Sequence, residues 1–122
     1  MNYFLEDSPY DQVNGYKAPR ASTIRNGADK ILLVEEDPLT INDGCWVPPL
    51  IDYRDATQNL AGNDLLCIRH DAQKARPDAG WTFPNIPSIE RRGNVTFIDG
   101  HSEFQSRRFV HDRAHVDPGY MN

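Results

Sequence analysis

The sequence predicts an α+β, β-rich fold: a small antiparallel sheet with a C-terminal Asp-Gly hairpin, short helices and long ordered loops. Three observations predict it. The stretch RRGNVTFIDGHSEF, from Arg91 to Phe104, reads as two short strands joined at Asp99-Gly100, since Asp-Gly between apolar runs is a strong hairpin signal. The run KILLVE, Lys30 to Glu35, is apolar and bounded by turn residues, as a buried strand should be. No long amphipathic helix is visible, and nine prolines and eight glycines call for much loop. At 122 residues the chain is one domain, 1–122, with room for one modest core.

The elements follow in order. Residues 1–20 are polar-aromatic, with a turn at Asn14-Gly15 and anchors expected at Tyr3, Phe4 and Tyr10. Ala21–Asn26 suits one short helical turn capped by Ser22 and stopped at Gly27. After the Lys30–Glu35 strand, Asp37-Pro38 and Asn42-Asp43-Gly44 are turn sequences. Val47–Ile51 contains Pro48-Pro49 and is extended or an edge at best. Tyr53–Asn63 suits a short helix or an ordered loop. Leu65–Ile68 (LLCI) reads as a second buried strand. The segment 71–92, with Pro77, Gly80, Pro84 and Pro87 among Trp81, Phe83, Ile86 and Ile89, is a long anchored loop, a kind of loop that often carries function. Asn94–Ile98 and His101–Gln105 form the hairpin, and its two-residue connection favours a type I′ turn with φ > 0 at both Asp99 and Gly100. Beyond Arg108 the chain reads as an extended tail anchored by Phe109, Val110 and Tyr120.

Composition excludes several roles. Net charge is -5, the pI is about 5.2 and the mean hydropathy is -0.66. Phosphate binding needs clustered Lys and Arg. The nearest approach to such a cluster, Arg91-Arg92 with Arg107-Arg108, is interrupted by acids, so nucleic acid is not an expected partner. The longest apolar run, Ile31–Val34, is four residues, far short of the roughly 18 needed to span a bilayer. Cys45 and Cys67 are too few for a metal site and are read either as one disulfide or as two small core residues.

Three sets of side chains are candidates for chemistry. Asp99 and His101, with His70, offer one carboxylate and two imidazoles, a donor set for zinc or another transition metal if the fold brings them together. The simpler reading is that the turn demands Asp99 and Gly100, and that His70 hydrogen-bonds the turn. Glu36, Asp37 and Asp43 are hard oxygen donors for calcium, without the EF-hand order of ligands; a solvated acidic loop is the alternative. Trp46, Trp81 and Phe83 would stack on a sugar if exposed, or anchor loops if buried. No nucleophile elbow, phosphate loop or zinc-protease motif is present, so no catalytic residue is assigned.

Arg69-His70, Gly93-Asn94, the strand Val95–Ile98 and Asp99-Gly100-His101 together resemble the C-terminal signature of the prepilin-type processing-associated H-X9-DG family. ADKILLVEED and RASTIRNGADK resemble that family's upstream strand and preceding helix-turn, so the likeness extends from about Arg20 onward. Between His70 and Asp99 lie 28 residues rather than nine, and 71–92 reads as a loop insertion. The resemblance implies the globular domain of a pilin-like or pseudopilin-like subunit, of the type II secretion and type IV pilus kind. Such a subunit is non-enzymatic, and its partners are other pilin-like subunits or envelope proteins. Family members also carry a basic leader and a long apolar helix; that N-terminal pilin helix is absent from these 122 residues. Membrane contact would run only through such a missing helix. The expected location is the cell envelope or outside it if the full-length protein has a leader, and the cytoplasm if the chain is complete. Two other classes stand beside this one: a divalent-metal-binding module or metal-dependent hydrolase using Asp99, His101 and His70, and a carbohydrate-binding module.

Overall fold

Ile31–Val34 (β1) is apolar and β-branched at both ends, which suits a pleated, half-buried surface. It pairs antiparallel with Arg92–Phe97 (β4), which in turn pairs antiparallel with Ser102–Ser106 (β5), giving a three-stranded sheet in the order β1-β4-β5. A second, two-stranded antiparallel ribbon joins Leu50–Ile51 (β2) to Asn59–Leu60 (β3). Arg107–Val110 (α1) and Arg113–Val116 (α2) are single-turn helices after β5. The fold is therefore α+β and β-rich, as the sequence leads one to expect. The structure is a computed structural model and describes residues 1–5, 18–55, 57, 59–60, 62–72 and 85–120. Asn14-Gly15, Tyr10, Trp81, Phe83 and most of the 71–92 loop lie outside the described residues. Among the described residues no helix is long and apolar enough to cross a membrane.

The core lies between one face of the sheet and the two helices. Ile31, Val95 and Phe97 meet Trp46, Leu50, Leu66, Val110 and Val116, with Phe4, Val34 and Phe109 packed around them. The register explains the sheet's contribution. Ile31 lies opposite Phe97 and Val34 opposite Val95, with a register shift between Ile31 and Leu33; that irregularity lets two residues three apart on β1 follow the alternate positions 95 and 97 of β4 onto one face.

Three local expectations are corrected, and one open choice is resolved. Leu65–Ile68 is buried at every position but forms no strand, only an antiparallel bridge between Leu66 and Glu36. Its second edge is occupied by side chains: the Leu66 carbonyl accepts from the Arg107 guanidinium and its N–H donates to His111 Nε2. The tail after Arg108 is helical, because Ser106 Oγ accepts from Phe109 N–H and Asp112 Oδ1 accepts from Ala114 N–H, one N-cap for each short helix. Ser22 is not the cap of its turn; it sits inside a 3-10 turn, Ala21–Thr23, whose N-cap position is Arg20. Gly27 begins a second such turn, Gly27–Asp29, after Asn26 has taken the left-handed conformation (φ 55°). Of the two readings of Tyr53–Asn63, helix or ordered loop, the described residues show no helix and a loop that ends in β3. Asp52 Oδ1 accepts from the N–H groups of Arg54 and Asp55, making a turn that leads toward β3.

No disulfide joins Cys45 and Cys67; Cys67 is buried and its Sγ accepts from Arg69 Nε at 3.1 Å.

Candidate functional site

The hairpin tip is a three-residue loop. Gly100 N–H donates to the Phe97 carbonyl and Phe97 N–H donates to the His101 carbonyl, each at 2.9 Å. Gly100 alone in this loop has positive φ, at 93°. This is a type I turn closed by a glycine bulge rather than the type I′ turn expected from the sequence. The tip is tied down from the side: Ile98 N–H donates to the Lys30 carbonyl and Asp99 N–H to the Gly27 carbonyl.

His101 is held on three sides. Its Nδ1 lies 2.5 Å from Asp99 Oδ1 and its Nε2 lies 3.4 Å from Glu103 Oε1. Its ring stacks on Phe97, with centroids 4.4 Å apart and planes 2° from parallel. The bond from Asp99 raises the imidazole's pKa, and the same bond lowers that of the Asp99 carboxyl. Both ring nitrogens are engaged by carboxylates. The arrangement favours the protonated ring, whereas a metal would need a neutral ring with a free lone pair.

His70 stands elsewhere. Its Nε2 is 3.2 Å from Glu35 Oε2, and Arg69 pairs with the same carboxylate. Glu35 follows β1 and donates its N–H to the Asn94 carbonyl, whereas the Asp99 tip meets the chain at Gly27 and Lys30. His70 is thus held beside one end of β1 and the Asp99 tip beside the other, and a four-residue strand is roughly 13 Å long. The structure brings Asp99 and His101 together and does not bring His70 to them.

The acidic residues do not converge on one point either. Asp37 is buried and commits Oδ2 to Arg107 and Oδ1 to the Leu39 N–H. Asp43 Oδ1 accepts from Cys45 N–H. Glu36 lies near Asp64, and burial followed by that neighbouring charge raises its pKa. Among the described residues no group of three or more His, Cys, Asp or Glu side chains is placed to hold a metal ion. Trp46 is fully buried in the core and offers no stacking face to a sugar.

The sequence reading missed a buried polar network. Arg107 is inaccessible to solvent. Its Nε and Nη2 donate to the Leu66 carbonyl, Nη1 to the Pro87 carbonyl and Nη2 to Asp37 Oδ2. One guanidinium thereby clamps the segments around residues 37, 66 and 87. His111 is also fully buried; burial, then the nearby Arg107 charge, pushes its pKa down to about 3. The ring is neutral, with Nδ1 toward the Pro49 carbonyl at 3.0 Å and Nε2 accepting from Leu66 N–H. Lys30, which lines a cleft of about 480 Å³ with Thr23, Arg25, Asn26 and Tyr120, donates its ammonium to the carbonyls of Ala114, Asp117 and Tyr120 at the end of α2. Asn2 Nδ2 bridges the Ile31 and Val116 carbonyls. The spacing of Arg107, Val110 and His111 places all three on one helical face, a signal visible only once the tail is read as helix.

No protein-family model, curated protein or solved structure matches the chain.

Proposed function

We propose that the chain is the globular domain of a pilin-like or pseudopilin-like subunit, acting as a structural and assembly protein rather than as an enzyme. One observation supports this most. The residues that carry the family resemblance connect neighbouring segments instead of converging on a cavity. Arg69 and His70 hold Glu35, Gly93 lies directly beneath the Cys67 carbonyl, and Asp99 and His101 close the hairpin on each other. A site for turnover would gather such groups around a substrate-sized space. On this reading the domain's partners are other pilin-like subunits or envelope proteins.

The test is to recover the endogenous protein from its cells and determine its amino terminus and its fraction. A membrane or envelope fraction, with a processed apolar segment preceding the domain, is the expected result. Recovery from the soluble fraction with Met1 as the amino terminus would sink the proposal.

A further inference from the structure

The two edges of the three-stranded sheet are treated differently. The outer edge of β1 is covered: Asn2 N–H donates to the Leu32 carbonyl and Asn2 Nδ2 to the Ile31 carbonyl. Among the described residues β5 has no neighbour beyond β4. Residues Ser102, Glu103 and Phe104 are exposed, with the Phe104 ring residue 41% accessible.

The register says which backbone groups face outward. Antiparallel pairs alternate between hydrogen-bonded and non-hydrogen-bonded. Phe97–His101 and Arg91–Arg107 are hydrogen-bonded pairs, since Phe97 N–H donates to the His101 carbonyl and Arg107 N–H to the Arg91 carbonyl. Between them, Glu103 and Gln105 lie opposite Val95 and Gly93 and turn their backbone groups toward β4. Ser102, Phe104 and Ser106 turn theirs to the open edge. The 2.9 Å contact between Thr96 Oγ1 and Ser102 Oγ fits the closer side-chain approach of a non-hydrogen-bonded pair.

Open edges are ordinarily blunted with Lys, Pro or a bulge. Ser102–Ser106, SEFQS, contains neither Lys nor Pro and pairs with β4 in unbroken register. It also reads nearly the same in both directions about Phe104. We infer that β5 pairs antiparallel with β5 of a second copy of this chain, about a two-fold axis at Phe104, making one continuous six-stranded sheet. In that register Phe104 meets Phe104 and Ser102 meets Ser106 in hydrogen-bonded pairs. Glu103 meets Gln105 of the second copy, so each carboxylate faces an amide donor and never another carboxylate. The same two side chains already bond within one chain, Gln105 Nε2 donating to Glu103 Oε2. A two-fold interface must be self-complementary in this way. The inference rests on the register and the edge, and it is independent of the pilin-like reading.

Sedimentation and amide hydrogen exchange over a wide concentration range test it on the full chain. The expected result is a concentration-dependent dimer in which the Phe104 amide, exposed at low concentration, becomes protected. The Glu103 and Gln105 amides stay protected throughout. Phe104→Pro removes an N–H that turns away from β4 to the open edge and should weaken the dimer by about tenfold or more. Gln105→Glu should also weaken it, and Glu103→Gln with Gln105→Glu should restore it, which keeps the test open if the proline variant fails to fold. A monomer at every concentration overturns the inference. So does a dimer in which the Phe104 amide remains exposed, or one indifferent to Gln105→Glu.

Discussion

Arg107 Nη2 lies 3.0 Å from Asp37 Oδ2, and the arginine side chain is wholly buried. The pair joins the β5–α1 junction to the loop that follows β1, a separation of 70 residues. Burying a guanidinium is costly unless its donors are met, and here the Leu66 and Pro87 carbonyls take three more of its N–H groups. Arg107→Met would leave a buried carboxylate and two carbonyls without their donor. The expected loss is about 4 kcal/mol or more, a large share of the roughly 5–15 kcal/mol that holds a domain folded. Asp37→Ala should cost about 3 kcal/mol, since the carbonyl bonds survive. Urea melts of both variants check this, and a loss under about 1 kcal/mol for Arg107→Met would show that the clamp is dispensable.

His111 makes folding sensitive to acid. Its pKa is about 3 in the folded chain against an ordinary 6.5. Between those values the unfolded chain binds a proton that the folded one refuses, so stability falls as pH falls from 6.5 toward 3 and is unaffected above 6.5. The full effect is on the order of 4–5 kcal/mol by pH 3. His111→Gln keeps a donor and an acceptor without the titration. Its melting temperature should be lower at pH 7 and should depend less on pH below 6.5. A variant with the wild-type pH slope would assign the acid sensitivity to other groups.

The sheet was legible because its signals are local. KILLVE between turn residues and Asp-Gly between apolar runs each specify a strand or a hairpin without help from distant residues. Leu65–Ile68 was legible in burial but not in pairing, because what completes its edge is Arg107 and His111, some 40 residues away. The two short helices were missed since four residues are too few for a periodic pattern, and their real signals are the caps Ser106 and Asp112. Asp99 and His101 were rightly read as neighbours, being two residues apart in one turn. No local rule in the sequence could say that His70 would be directed to Glu35 at the far end of β1.

The Asp99–His101 pair should be visible by titration. His101 should titrate above the ordinary histidine value, and Asp99→Asn should bring it back down, because the carboxylate is the main cause of the shift. The sign of each contribution differs. The His101 part is full below 6.5 and is lost as pH rises through the raised folded pKa; the Asp99 part is full above its ordinary value and is lost as pH falls through the lowered one. The pair therefore contributes most between the two ordinary pKa values. NMR of the imidazole ring protons measures this. A His101 pKa that ignores Asp99→Asn would rule the pair out as the cause. Added zinc should leave the His101 and His70 signals uncoupled, and a joint stoichiometric shift of both would contradict their placement at opposite ends of β1.

Two glycines of the hairpin are required for different reasons, and substitution separates them. Gly93 faces the buried 65–68 segment: a Cβ there would meet the Cys67 carbonyl oxygen at 2.0 Å and Leu66 Cγ at 2.9 Å. The carbonyl is backbone and cannot turn aside, so even Gly93→Ala should displace that segment and cost about 3 kcal/mol or more. Gly100 has open space around it but holds φ at +93°, a conformation that costs a side-chain-bearing residue about 1–3 kcal/mol. Gly100→Asn should be tolerated better than Gly100→Val, because Asn visits positive φ more readily than a β-branched residue. At position 93 chemistry should matter little and size should decide, so Ala is already harmful. Denaturant melts of Gly93→Ala, Gly100→Asn and Gly100→Val resolve the two mechanisms. A near-wild-type Gly100→Val would contradict the glycine bulge, and a near-wild-type Gly93→Ala would contradict the contact between β4 and Cys67.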